Sequence, residues 1–548
     1  MKRILIASAK IMVGAALLSS CNKLTESPQG TLTTDNYYKT QADAISAVTA
    51  VYSTLSTDIN NDFPIYGRNL NLLVDNPSDN QVYSPSNTNP DVRALGTATY
   101  VSTNDRVHKI YAQLYWGVNK ANVAIDKIPT IPASQFLDAS HSALNLVREA
   151  RFIRALYYFD LVRLFGNLPL VLHDQATVAN AGTLVSRTSK DSVYLQIIAD
   201  LDSAALLPAT YTGADVGRVT SGAAHALLGK VYVTRHDWAN AVVELQKAIT
   251  PVTVSGGVAL NGTGTYGYDL FSNFNDIFLP SKKNGKEHIF SSQFNGTAGG
   301  FTSTNTLSSF TWSNASYTAD IPADATVVTG LFTVQDQRRT ATFYDSLFNA
   351  STGKWVIWPF YNFLKFVDQS AGFTSTLANQ GASAKVNFPI IRYADVLLLY
   401  AEALNELNGA PTAEAYSAIN LVRARSYADI ATFVPKTNNY SSYNYSGSGT
   451  YSNHAFDVSG LTQIQFRDTV FTERRREFIQ ESQRWFDLVR RVPDAEYAAG
   501  QYYLTSVHNM QGNPKIAATL KDTLFPIPQT EIDLYGGRNP NFQQNAGW

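Results

Sequence analysis

The stretch Glu149-Ala150-Arg151-Phe152-Ile153-Arg154-Ala155-Leu156-Tyr157-Tyr158-Phe159-Asp160-Leu161-Val162 decides the fold class. Phe152, Ala155, Leu156, Phe159 and Val162 recur at three- and four-residue spacing. That spacing puts them on one face of an α-helix. The helical pattern begins near Gln135 and ends at Phe165, where Gly166 and Pro169 stop it. Arg151 and Arg154 share this helix with large apolar neighbours, so they read as partly buried partners of carboxylates rather than as ligand contacts. Arg484 and Asp487 read the same way in a second such helix. Trp116 and Trp485 also fall on helices and read as core.

Working outward, the same periodicity predicts helices from Asp35 to about Ile59, and over 105–128, 191–207, 220–234, 238–249, 391–407, 413–426 and 462–491. Two regions look alike. One reads Ala224-x2-Leu227-Leu228-Gly229-x2-Tyr232, a turn, then Trp238-x2-Ala241-x6-Ala248-Ile249. The other has Ala394-x2-Leu397-Leu398, a Gly409-Ala410-Pro411 turn and a further helix. Small residues let paired helices approach, and large ones fill the next groove. This is the pattern of tetratricopeptide repeats, with generic antiparallel helix pairs as the alternative. The fold class is therefore mostly α: tetratricopeptide-like helix pairs form a superhelical scaffold. Long irregular loops and a few short β-strands carry the ligand surface.

Those loops cover about 60–104, 250–388 and 430–460. They are rich in Asn, Ser, Thr, Gly and Tyr, with strand-like runs at His288–Phe294 and Trp355–Phe366. Trp355 and Trp358 alternate with Val356 and Ile357 and read as sheet or core. Loops of this length inside a compact body are usually functional. The scaffold then spans about 31–60, 105–250, 390–430 and 460–548 of a single body, 31–548.

Composition narrows the function. The chain has 548 residues, 45% hydrophobic, so a large core can form. Only 16% are charged, with 43 basic against 44 acidic residues, which argues against a general phosphate-binding surface. One cysteine excludes an intrachain disulfide and a cysteine zinc cluster. None of the eight histidines shows a tight metal-binding spacing, and no nucleophile elbow or phosphate-binding loop is present. Gly262, Gly264 and Gly267 satisfy G-x-G-x-x-G, but in an aromatic loop without the flanking strand and helix that a dinucleotide site needs. A carboxylate pair for glycoside hydrolysis cannot be picked out among 44 acidic residues, some of which will meet the required spacing by chance. Cofactors are none, except that Asp75-Asn76-Pro77-Ser78-Asp79-Asn80 could offer oxygens to Ca²⁺.

The N-terminus carries Lys2, Arg3 and Lys10, an apolar run from Ile11 to Leu18, then Leu18-Ser19-Ser20-Cys21. This resembles the bacterial lipoprotein signal, in which the cysteine becomes the acylated (palmitate-bearing) first residue. Residues 1–20 would be the signal peptide, Cys21 the lipidation site and 21–30 the tether. Cleavage leaves 40 basic against 44 acidic residues, a net charge of -4.

Several blocks, in order, resemble the SusD/RagB family of Bacteroidetes outer-membrane lipoproteins. They are Ser27-Pro28-Gln29-Gly30, Asn36-Tyr37-Tyr38, Tyr115-Trp116-Gly117-Val118-Asn119-Lys120-Ala121-Asn122 and Glu149–Val162 with Phe165-Gly166-Asn167-Leu168-Pro169. Arg392-Tyr393-Ala394-Asp395, Ile419–Arg425, Glu473–Phe478, Arg484-Trp485-Phe486-Asp487, Phe525-Pro526-Ile527-Pro528 and Asn539–Gly547 follow. The resemblance implies four tetratricopeptide-like helix pairs and a surface-exposed, lipid-anchored location on the cell outer membrane. It implies a lid over a partner TonB-dependent transporter barrel of the SusC/RagA type that captures oligosaccharide, without catalysis. Peptide capture in the same role is the first alternative and a surface glycosidase the second.

A neutral sugar needs aromatic platforms and hydrogen-bonding side chains, not charge. The loops hold two such sets. One is Asp75, Asn76, Asp79, Asn80, Tyr83, Arg93 and Tyr100. The other is Tyr266, Tyr268, Phe301, Trp312 and Tyr317. The expected ligand-binding residues are Trp312, Tyr83, Tyr100, Asp75, Asn76, Asn80, Arg93, Tyr268 and Tyr317. Trp312 leads, because its polar surroundings offer no apolar stripe to bury it.

Overall fold

A computed structural model describes residues 37–58, 62–84, 87–174, 185–249, 252–254, 257–260, 264–298, 301–303, 305–307, 320–322, 325–349, 354–367, 385–427, 454–491, 519–536 and 539–548. Asp35, Cys21 with its tether, Trp312, Tyr317 and residues 430–453 lie outside them.

The longer helices are α1 (Gln41–Ser53), α2 (Asp105–Lys127), α3 (Ala143–Phe165), α4 (Lys190–Ala204), α5 (Ser221–Thr234), α6 (Trp238–Ile249), α7 (Tyr393–Asn408), α8 (Ala413–Ser426), α9 (Gln463–Phe478) and α10 (Arg484–Val489). Neighbours in sequence pack as neighbours in space: α2 on α3, α3 on α4, α4 on α5, α5 on α6 and α7 on α8. α6 lies against α7, which closes the stack across the long 250–388 excursion. Side-chain caps start these helices where the sequence offers Ser, Thr or Asn. Asn104 accepts from the N–H groups of Arg106 and Val107, and Ser142, Ser189, Thr220 and Thr412 each accept from a first-turn N–H. Close helix approach rests on missing side chains. A methyl group on Gly117 would overlap the Tyr157 ring, and one on Gly229 would overlap Leu245. Trp485 is fully buried as expected, whereas Trp116 is half-buried. Among the described residues no helix is long and apolar enough to cross a membrane.

Six short strands matter for the site: β1 (Gln81–Tyr83), β2 (His288–Ser292), β3 (Asp320–Pro322), β4 (Phe343–Asn349), β5 (Lys354–Phe363) and β6 (Phe388–Arg392). All pair antiparallel in twos: β1 with β3, β2 with β6, and β4 with β5 as a hairpin. Trp355 and Trp358 lie in β5.

α1 is shorter than the expected helix to about Ile59, running from its Thr40 cap to Ser53, and three further boundaries differ from the sequence reading, each for a local reason. α3 starts at Ala143 rather than near Gln135, because Ser142 caps it and His141 is held outside the helix by Asp138 (2.6 Å) and Asp215 (3.1 Å). Ile391 and Arg392 belong to β6, so α7 begins only at Tyr393. The predicted 462–491 helix breaks at 479–483, where Gln480 and Ser482 take left-handed φ values of 66° and 56°. That break turns Glu481 back toward Arg392.

Arg392 sits at the hub of a buried charge network. It donates to Glu287 (2.9 Å), Glu477 (2.6 Å) and Glu481 (2.7 Å). Arg425 also binds Glu287 (3.0 Å) and Glu477, and Arg338 spans Asp336 and Glu477 (2.9 Å). Lys365 donates to Glu481 (2.8 Å) and to the carbonyls of Glu477 and Ile479. A second chain runs Lys230–Asp395–Arg474–Asp487–Arg490–Glu402, each link 2.6–3.1 Å. Every one of these groups is buried. Charges this deep persist only when each finds opposite charge and hydrogen bonds. The networks therefore couple β2, β6, α5, α7, α8, α9 and α10.

Burial by itself would raise the carboxylate pKa values, but the surrounding guanidinium groups outweigh it. Glu473 and Glu402 are held down at about 2, and Glu477 and Asp487 well below the usual carboxylate range. Glu287 runs the other way, raised by burial against Arg425 and Arg392. Carboxylates with depressed folded pKa values contribute stability above their unfolded value of ~4.3. That contribution is lost as pH falls through the folded values. The carboxylate contribution to the denaturant midpoint should be flat from pH 7 to about 5 and fall steadily between ~4.5 and ~2. Glu477→Gln removes a charge shared by three guanidinium groups and should lower the unfolding free energy by about 3–5 kcal/mol, read by urea denaturation at pH 7.

Candidate functional site

The pairing of β1 with β3 joins the two loop regions expected to carry ligand. Gln81 stands opposite Pro322, and Tyr83 opposite Asp320. β3 also lies against β5, and the helix Ala325–Thr329 packs beside both. Beneath them, Val82, Val328, Phe332, Phe343, Phe363 and Ile479 form a separate apolar cluster. In sequence, Tyr317 precedes Asp320 by three residues and Trp312 by eight. The segment bearing both thus runs directly into the strand that pairs with the first loop.

The first loop does not present its polar residues to solvent, which corrects the expectation for Asp75, Asn76 and Asn80. All three are buried, as is Asp79. Asp79 receives two hydrogen bonds from Arg484 (2.7 and 2.9 Å) and pairs with Arg475 at 3.2 Å. Arg475 also donates to the Asn80 side chain and the Asp79 carbonyl, both at 2.8 Å. Asp75 accepts from Asn71 (2.6 Å) and from the Ser482 N–H (3.2 Å), and Asn76 accepts from Gln81 (3.2 Å). This cluster is a brace between the loop and the α9–α10 turn. Its carboxylates are taken up by N–H donors, which a Ca²⁺ ion would have to displace. Among the described residues no group of three His, Cys, Asp or Glu side chains is placed to hold a metal ion.

The tyrosines expected as platforms are likewise packed inward. Tyr83 is 4% exposed, with its ring against Gly96, where an added Cβ would come within 2.5 Å. Tyr100 is 2% exposed, between the rings of Phe525 (5.2 Å) and Trp548 (5.0 Å). A large ring beside other rings gains more from burial than from water, which is why both are captured by the core. Tyr268 is half-buried, stacks on Tyr266 at 5.4 Å and reaches Thr220 at 3.1 Å on the α5 cap, where Gly222 leaves room for the pair. Arg93 alone of the described candidates is exposed; its guanidinium lies 5.3 Å from the Tyr83 ring centre.

The sequence reading missed Arg475 and Ser482 as partners of the loop. The Arg-rich block Glu473–Phe478 was the available signal, but nothing local says which arginine reaches 395 residues back to Asn80. The reading of Arg154, Arg484 and Asp487 as carboxylate- or arginine-paired fits the structure. Arg154 grips Asp200 with two bonds of 2.8 Å. Arg151 instead donates to the Ser203 hydroxyl at 3.2 Å.

The structure is thus a stacked helix-pair scaffold with a separate loop region braced by short strands. Comparison with known proteins gives the family. The family model described as "SusD family" matches residues 349–548, and that described as "Starch-binding associating with outer membrane" matches 26–233. The chain is 27% identical to SusD-like protein P2 of Formosa agariphila across 96% of each. Its fold is similar to a SusD homolog from Bacteroides thetaiotaomicron, with TM-score 0.73, 25% identity, and 94% and 98% of the two chains covered. It is also similar in fold to surface glycan-binding protein A of that organism in complex with laminarihexaose, with TM-score 0.67, 18% identity, and 92% and 100% covered. The chain belongs to the SusD/RagB family, one of whose two matching models describes starch binding in association with the outer membrane.

Asp79→Ala takes the carboxylate from two arginines of the brace. It should cost about 3–5 kcal/mol in urea unfolding, whereas Arg93→Ala, at the surface, should stay within about 0.5 kcal/mol of the parent.

Proposed function

We propose that this protein captures oligosaccharide at the cell surface while tethered to the outer membrane through acylated Cys21. It then delivers the sugar to a TonB-dependent transporter. The observation that supports this reading is the β1–β3 pairing, which joins the first loop to the strand that follows Trp312 and Tyr317 in the chain. A neutral glycan calls for polar and aromatic contacts rather than for charge. The chain's low charge, 16%, agrees with that chemistry. The relative solved with laminarihexaose shares the fold and supports a β-glucan-like oligosaccharide as the first ligand to try. A tether beside a transporter raises local ligand concentration without new contacts.

On this reading the ligand contacts come from Trp312, Tyr317 and Arg93, of which Arg93 is among the described residues and exposed. Tyr83 supports them by holding Arg93 from below.

The test is calorimetric titration of the detergent-solubilised full chain with glycan oligomers and with a peptide mixture, followed by product analysis. Saturable binding of sugars that remain intact is expected. Two aromatic platforms at ~0.5–1.5 kcal/mol each imply that Trp312→Ala with Tyr317→Ala weakens binding about tenfold. Unchanged affinity in that double variant would sink the assignment of these contacts. Cleaved sugars, or binding of peptide alone, would sink the function.

A further inference from the structure

A second cleft lies on the scaffold, away from the loop face. It encloses about 420 Å³ between the C-terminal ends of α3 and α5, the start of α4, α10 and the segment at Thr523 and Leu524. That volume falls in the ~300–1,000 Å³ range of small-molecule sites. None of its lining residues comes from the 60–104, 250–388 or 430–460 loops.

Its polar lining is rich in donors. Arg163 is about nine-tenths buried, clamped between the rings of Phe159 (3.8 Å) and Phe486 (3.7 Å). Its Nε donates to the Phe159 carbonyl and its Nη2 to Asp160, while Nη1 makes no hydrogen bond among the described residues. Burial pushes the Tyr194 hydroxyl up to about 12, so it stays protonated and able to donate at neutral pH. It too makes no hydrogen bond among the described residues. Arg235 stands over the Tyr194 ring at 5.0 Å, with only a loose pair to Asp191 at 3.8 Å, and Lys190 is exposed beside it. Arg490 brings no free charge, being neutralised by Glu402 and Asp487, and Asp160 does the same for Arg163. Lys190 and Arg235 against Asp191 leave the mouth with a net positive charge. Val162, Phe486 and Leu524 supply apolar wall.

Several unsatisfied donors, one excess positive charge and an apolar wall call for a ring-sized ligand that carries clustered acceptor oxygens and a negative charge. We infer that this cleft is a second ligand site for an acidic monosaccharide unit, whose carboxylate or sulfate lies between Lys190 and Arg235 and whose ring packs against Phe486 and Leu524. Guanidinium and ammonium donors bind either oxyanion, so the chemistry shared by uronic and sulfated sugars defines the class. The site is independent of the loop face and of the reading given for it.

The experiment titrates the detergent-solubilised full chain with methyl glucuronoside, glucose 6-sulfate, methyl glucoside and inorganic phosphate. The parent and the Lys190→Ala/Arg235→Ala double variant are compared. Both changed residues are exposed, so the fold should be kept, which circular dichroism checks. Saturable binding of either acidic sugar, at least tenfold tighter than methyl glucoside, is expected. That binding should weaken at least tenfold in the double variant and with rising salt. It should persist in Trp312→Ala/Tyr317→Ala, which separates this site from the loop face. Equal binding of acidic and neutral sugar, binding of phosphate alone, or affinity indifferent to the double substitution would overturn the inference.

Discussion

Everything in this structure hangs on buried arginine–carboxylate pairing around Arg392. A guanidinium group offers five donors in a flat fork, and Arg392 uses its fork to hold three glutamates from distant parts of the chain. Glu287 precedes β2, whereas Glu477 and Glu481 lie at the end of α9 and in the turn after it. Because an isolated charge at this depth would cost several kcal/mol, none of these elements can drift from the others. The excursion between α6 and α7 is long, yet its two described ends are stitched together by β2–β6 and by these ion pairs.

The same device carries the loop face. Arg475 and Arg484 leave the α9–α10 region to grip Asp79, and the Ser482 N–H holds Asp75. The left-handed residues at 480 and 482 follow from this arrangement. A continuous helix would have pointed Glu481 and Ser482 elsewhere and lost both the hub and the brace. Scaffold and ligand-facing strands therefore meet at one turn of five residues. Phe486 and Arg490 of α10 line the scaffold cleft.

The helices were legible because their apolar spacing is local. The Phe152–Val162 stripe and the Gly166 stop appear in the structure as they read in the sequence. So did the two strand-like runs at 288 and 355, which became β2 and β5. The surroundings of the candidate site residues were not legible in this way. Asp75, Asn76, Asn80, Tyr83 and Tyr100 carry the right chemistry for a sugar, but chemistry does not say which way a side chain faces. An Asx-rich loop reads the same whether its carboxylates meet water or a buried guanidinium supplied from 400 residues away.

The sequence by itself determined the mostly helical class, the family and the positions of the long loop regions. Each of these rests on periodicity or on ordered motifs that need no knowledge of contacts. Only the tertiary structure decided which polar and aromatic residues are bracing and which remain at the surface. It also decided that donors from α3, α4 and α5 converge on one cleft. Burial and pairing are properties of neighbours in space, and an arginine finds its carboxylate through the fold rather than along the chain.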